Sequence, residues 1–248
     1  MPGKKNGKKA TRSSSSENPF KSSSIRKAAQ EVFKNPAEFL GDVKENQKAI
    51  FYGYVELDNE ESLNICRQFE FQPTTQFQIL PFSRLSPKKD ERVGLVYEKE
   101  KEAVKASIRG AYEHCSFFTP QGLFRIGDYY VLRKKGEIVA GVQAIPEKWV
   151  IENLGGLSGS ILMGLLPRLP WLSRLFNPND FNFLLFEGGF WKPGHIEDYL
   201  SLLESVLWEK GYYSAMILAD EKDESLNHIK NLGTLARFTN CRARAVRT

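Results

Sequence analysis

The chain of 248 residues is 41% hydrophobic and 12% aromatic, which suffices for one large or two modest packed domains and excludes disorder throughout. Its formal charge of +5 is held at the ends: Lys4, Lys5, Lys8, Lys9, Arg12, Lys21, Arg26 and Lys27 face Glu17 alone, and Arg237, Arg242, Arg244 and Arg247 lie near the other terminus. Residues 28 to 236 are net acidic, so the body lacks the basic footprint of a nucleic-acid-binding domain, and nucleic acid is not expected as a partner.

Cys66, Cys115 and Cys241 are too few and too scattered for a disulfide framework or a zinc site. No metal is expected, and a reducing, cytoplasmic setting is. The N-terminal lysines are not followed by the apolar stretch of a secretory signal. No run reaches the ~18 apolar residues that span a bilayer; the nearest, Leu157 to Phe176, is broken by Pro167, Arg168, Pro170 and Arg174.

In chain order, residues 1–24 form a flexible basic tail, too poor in apolar surface to offset the entropy of ordering. Ile25 to Phe33 has helical spacing, with a further short piece over Glu38 to Gln47. A strand is predicted over Ala49 to Leu57, a helix over Ser62 to Phe69 and a strand over Thr75 to Leu80. Ser86 to Glu91, polar and proline-containing, marks a boundary. Beyond it come a short strand at Arg92 to Tyr97 and a helix over Glu100 to Cys115. Tyr129 to Arg133 and Ile138 to Ile145 flank Lys134-Lys135-Gly136-Glu137, a glycine-containing turn that closes antiparallel strands. A buried-type strand spans Phe181 to Phe186, and Gly188 to His195 is predicted as the turn into an amphipathic helix that ends at Gly211. A strand at Tyr213 to Ala219, a helix at Glu224 to Leu232 and a strand at Ala236 to Val246 complete the chain. A mixed, mostly antiparallel sheet with helices on both faces follows, an α/β fold of α+β type.

Two junctions repeat. An apolar run ends in Asp58 before Glu61-Ser62-Leu63-Asn64, and another ends in Asp220 before Glu224-Ser225-Leu226-Asn227. This is the mark of a duplication, with a half-domain at 25–88 and a complete domain at 89–248 that carries an apolar insertion at 153–180. Leu162, Met163, Leu165, Leu166, Leu169, Trp171, Leu172, Leu175 and Phe176 make that insertion far more apolar than a solvated loop. It is expected to cover something: a lid or protein-partner surface at 157–176, with an apolar-ligand wall or a membrane-surface segment as alternatives. Gly155 to Ser160 lacks the spacing of a nucleophile elbow, so Ser158 and Ser160 are placed in a hinge. His114 and His228 have no ligand partners at metal spacing.

The element order, with an antiparallel hairpin before a strand-helix-strand-helix unit, resembles the GNAT (Gcn5-related N-acetyltransferase) superfamily. The motif that follows the family's penultimate strand is matched in part by Asn59, Ser62, Ile65, Cys66, Glu70 and Phe71, and in part by Lys222, Ser225, His228, Ile229, Gly233 and Thr234. The resemblance implies an acyl-CoA N-acyltransferase-like fold preceded by a partial second copy, and transfer of an acyl group, acetyl by preference, from acyl-CoA to a small-molecule or protein amine. It also implies acetyl-CoA or another acyl-CoA as co-substrate. The family's phenolic acid is absent, because Cys66 and Ile229 stand in its place. Glu187 is implied as the base toward the amine, and Gly188, Gly189, Lys192, Gly194 and His195, with Asn59 and Ser62 of the first copy, as acyl-CoA contacts. The phosphate turn departs from the family's pattern: Ile196 replaces its second glycine and Pro193 has no N–H. A non-catalytic binding protein of the same fold, using the apolar insertion against a partner, is the rival expectation.

Overall fold

The structure, a computed structural model, describes residues 31, 52–57, 59–115, 122–152, 159, 161, 163–220, 231–235 and 241–247. The tail, the two helices expected before residue 49, Asp58 and the helix expected at Glu224 to Leu232 lie wholly or mostly outside them; Asn231 and Leu232, which are described, are not helical.

Among the described residues, eight strands form one sheet: β1 (Tyr52–Glu56), β2 (Gln72–Ser83), β3 (Val93–Leu95), β4 (Asp128–Lys134), β5 (Glu137–Trp149), β6 (Phe181–Trp191), β7 (Ser214–Asp220) and β8 (Cys241–Arg247), in the spatial order β1-β8-β2-β7-β6-β5-β4-β3. Every neighbouring pair is antiparallel except β6 and β7, which run parallel. Helix α1 (Glu60–Gln68) joins β1 to β2, α2 (Lys101–Ala111) precedes the hairpin, and α3 (Ile196–Lys210) joins β6 to β7. The hairpin turn holds Lys135 at φ 52° and Gly136 at φ 83°, the two left-handed residues that a two-residue turn needs to match strand twist.

The alternation of side chains along the strands sorts the core into layers. Tyr130, Leu132, Val142, Ala144, Leu184, Phe186, Ala215 and Ile217 point to the back face and meet Tyr199, Leu202, Leu203, Val206 and Leu207 of α3. Gly211, at φ 72°, stops that helix by returning its N–H to the Leu207 carbonyl. The front face is covered in two separate pieces. Val104 and Ile108 of α2 pack with Leu123, Tyr129, Val131 and Phe190. Leu166, Leu172, Leu175 and Phe176, from the apolar insertion, pack with Phe181, Phe183 and Leu235. The described part of the insertion is therefore a cap on the sheet, built from short helical turns.

Strand β2 lies between β8 and β7, so residues 52–83 and 89–247 share one sheet. The segment between β2 and β3 is held along α3: Arg84 pairs with Glu204 at 3.0 Å, the Ser201 hydroxyl donates to Asp90 at 2.7 Å, the Asp90 N–H donates to Ser205 at 3.0 Å, and Arg92 pairs with Asp198 at 2.8 Å. Positions 198, 201, 204 and 205 form one stripe on a helix of 3.6-residue period. The polar stretch expected as a boundary is thus held against α3 through Asp90, with Arg84 and Arg92 fastened on either side of it.

Candidate functional site

Parallel pairing between β6 and β7 covers only Leu184 to Phe186 against Ala215 to Ile217. Both strands continue, β6 to Trp191 and β7 to Asp220, and among the described residues their strand pairing there is on the other side, with β5 and β2. A notch therefore opens at the carboxyl ends of a parallel pair, where the two inner edges run on beyond their last shared pair. Glu187 and Leu218 are the first residues beyond the last pair, and both face front. They are exposed, Leu218 by 44%.

A bulge in β6 sets this opening. The register with β5 shifts between Gly141, opposite Phe190, and Gln143, opposite Glu187. Gly188 adopts φ 53°, and its carbonyl accepts a 2.7 Å hydrogen bond from the buried Tyr129 hydroxyl. Burial pushes that phenol well above its ordinary pKa, so it remains a donor. Both glycines are needed because side chains press on them from opposite faces. A Cβ on Gly188 would stand 2.7 Å from Leu123, and one on Gly189 would stand 2.2 Å from the Tyr199 hydroxyl. Residues Gly188 to Trp191, expected in a turn, belong to the strand; the turn itself is 192–195.

The surroundings of Glu187 suit a base. Desolvation by the protein around its carboxyl raises its pKa above the ordinary glutamate value, and the Glu147 carboxylate adds to the rise. Glu147, on β5, shares the front face with Glu187, with Ile145 and Leu185 between them in register. Gln143, fully buried, accepts from the Phe124 N–H at 3.0 Å and donates to the Ile126 carbonyl, which fastens the 122–127 turn beside the bulge. Neither Gln143 nor Glu147 was expected from the sequence. Gln143 left a signal there, as a lone polar residue in the apolar run Ile138 to Ile145.

The turn into α3 carries the other expected contacts. Gly194, at φ 81°, has open space where a Cβ would stand. Lys192 pairs with Glu137 at 3.0 Å on the surface, and His195 Nδ1 lies 2.7 Å from Asp198. Among the described residues no side chain caps the α3 N-terminus, where the first-turn N–H groups and the dipole favour an anion and Glu197 and Asp198 oppose one. Asp198 is offset by Arg92, at 2.8 Å, and Lys134, at 3.3 Å.

Asn59 and Ser62 do not join this site. Asn59 caps α1, its side-chain oxygen accepting from the Ser62 N–H at 3.0 Å. They follow β1, which is four strands from β6 and runs in the opposite direction, so they lie at the other end of the sheet from the notch. Among the described residues, no group of three or more His, Cys, Asp or Glu is arranged to hold a metal ion.

No family model matches the sequence, and no curated protein matches it. Several solved structures similar to the chain are GCN5-related N-acetyltransferases. They include one from Sphaerobacter thermophilus (TM-score 0.47, 11% identity, 89% of this chain and 66% of that chain) and one from Kribbella flavida (TM-score 0.49, 12% identity, 90% and 74%). The N-myristoyltransferase of Saccharomyces cerevisiae with bound myristoyl-CoA is another similar structure (TM-score 0.38, 8% identity, 71% and 50%). The chain spans just under two thirds of the Sphaerobacter protein's length. Likenesses this distant decide nothing about chemistry. On its strand order, its helix placement and the open parallel pair, the chain has a mixed α/β fold of the acyl-CoA N-acyltransferase-like kind.

Proposed function

We propose that the protein is an acyltransferase of the GNAT superfamily that moves an acyl group from acyl-CoA to an amine. The observation that carries this reading is the notch between β6 and β7, with Glu187 on its front rim and the uncapped N-terminus of α3 following β6. A thioester laid in the notch adds hydrogen bonds to the unpaired strand edges. Its phosphates lie toward 192–195, where Lys192 is released at small cost because exposed ion pairs contribute only ~0–1 kcal/mol. The acceptor enters from the front, between the α2 cluster and the cap. Glu187 takes a proton from the ammonium, and the neutral nitrogen attacks the thioester carbonyl. Backbone N–H groups on the β6 edge stabilise the oxyanion, and the intermediate collapses to an amide and a thiolate. The second proton lost by the nitrogen passes through water to the thiolate, which leaves a neutral amide and free CoA thiol. Release of free CoA thiol in the presence of an amine panel tests the reading: amine-dependent release that fails in Glu187→Gln supports it, and the absence of release with every amine and acyl length counts against it.

One observation favours the rival reading of a non-catalytic binding protein. Lys192, His195 and the first turn of α3 already hold carboxylates at the place where phosphates would sit. Binding of acyl-CoA without turnover supports that second reading.

We also propose a duplicated origin. The order β1-β8-β2-β7 and its strand directions are unchanged by a two-fold rotation normal to the sheet that exchanges β1 with β7 and β2 with β8. The repeated junctions at Asp58 and Asp220 support it, and Asp220 is held by the Thr75 hydroxyl at 3.0 Å; Asp58 itself is outside the described residues.

A further inference from the structure

The cap at 161–176 is apolar on both sides. Its inward residues Leu166, Leu172, Leu175 and Phe176 are buried against the sheet, which is their expected place. The outward residues of an ordinary surface cap are polar, yet here Ile161 is 49% exposed, Leu165 53% and Trp171 56%. Ile161 and Leu165 share one helical turn through the bond from the Leu165 N–H to the Ile161 carbonyl. At the cap's edge, Trp149 (45% exposed) stands edge-on to Phe183 at 4.8 Å, and Val150 is 67% exposed. The charge in the cap has one sign: from Asn153 to Asn179 there is no Asp or Glu, while Arg168 and Arg174 are present and exposed. The flanking Asp180 is paired with Lys148 at 2.8 Å, and Glu152 is exposed beside the patch.

Exposed tryptophan and branched aliphatics interspersed with arginine, without acids, are the chemistry that partitions into a headgroup region. A second signal lies on the same chain in the lysines and arginines of residues 4–27, and durable surface attachment takes two such signals. Among the described residues no helix is long and apolar enough to cross a membrane. We propose that the outer face of the 161–176 cap, with Trp149 and Val150 at its rim, seats the protein on an anionic bilayer surface.

The test is co-sedimentation of the full chain with phosphatidylcholine/phosphatidylglycerol vesicles, read together with tryptophan emission and repeated in high salt. The expected result is sedimentation with a blue shift. Both should weaken at least about tenfold in the double variant Leu165→Ser/Trp171→Ser, and should weaken on anionic but not neutral vesicles in Arg168→Glu/Arg174→Glu. These side chains are exposed, so each variant is expected to keep the wild-type melting temperature. Two outcomes overturn the proposal: a chain that stays in the supernatant, or sedimentation undiminished in the double variant, which assigns attachment to the N-terminal lysines. Self-association through the same face that excludes vesicles, seen as a dimer dissolved by Leu165→Ser/Trp171→Ser, overturns it as well.

Discussion

Glu187 concentrates two opposed demands on one carboxyl. Desolvation by the protein around it and the Glu147 carboxylate raise its pKa, so ionisation at neutral pH disfavours the folded state, yet the proposed reaction needs that ionised form as its base. Glu187→Gln is therefore expected to lower kcat/KM by about 100-fold or more, and at neutral pH to raise the melting temperature. The sign follows from linkage: a carboxyl raised on folding contributes stability below its unfolded value and loses it as pH climbs through the folded value. The gain in melting temperature in Glu187→Gln should thus shrink as pH falls to the ordinary glutamate range, which a pH series of thermal melts checks. For wild type, kcat/KM should fall on the acid side with an apparent pKa above that of free glutamate. Glu147→Gln should shift that limb toward acid, with little loss at the plateau. The sequence places Glu187 at the end of the apolar run Phe181 to Phe186, but the strand continues through it to Trp191, so what ends there is the pairing with β7 and not the strand. The partner Glu147 was not legible, since the pairing register that brings the two to one face is a tertiary fact.

At the level of elements, the bulge in β6 and the segment fastened along α3 are the two devices that hold the site. Gly189→Ala drives a methyl group into the hydroxyl of Tyr199, whose ring lies tilted against Trp191 at 4.7 Å between centroids and cannot retreat within a full core. A loss of about 1–3 kcal/mol is expected, by denaturant titration, with weaker acyl-CoA binding in whatever remains folded. Asp90 accepts from Arg92, from the Arg92 backbone and from Ser201, and these bonds hold its carboxyl far below the usual carboxylate range. Asp90→Asn should cost about 1–3 kcal/mol at neutral pH. A depressed carboxyl stabilises above its unfolded value, near ~3.9, and loses that effect as pH falls, so the deficit of Asp90→Asn should vanish in acid. The glycine pair at 188 and 189 illustrates the limit of local sequence reasoning. Glycines before a helix suggest a phosphate turn, but these two are required by Leu123, far away in the chain, and by Tyr199, which the fold of the next helix brings back onto the strand.

At the scale of the whole molecule, β2 in the middle of the sheet makes the two parts of the chain interdependent. A fragment starting at residue 89 takes β2 away from β7, and removes both β1 and β2 from β8. It is expected to fail to fold, by circular dichroism and gel filtration, whereas the full chain is expected to melt in one cooperative transition. The hairpin, α3 with its Gly211 stop and the strand at 214–220 were all legible from periodicity and turn chemistry, because each is specified within about twenty residues. Interleaving was not, because it depends on which strand edge each unit finds. The repeated junctions offered a hint without saying that the units share a sheet. The measurement that bears most directly on the central claim is calorimetric titration of acetyl-CoA and longer acyl-CoA into the protein, paired with melting curves. Saturable binding at one site is predicted, with a stabilisation of about 2.7 kcal/mol at 100 times the Kd that is lost in Gly189→Ala; no heat and no shift with any acyl-CoA would contradict it.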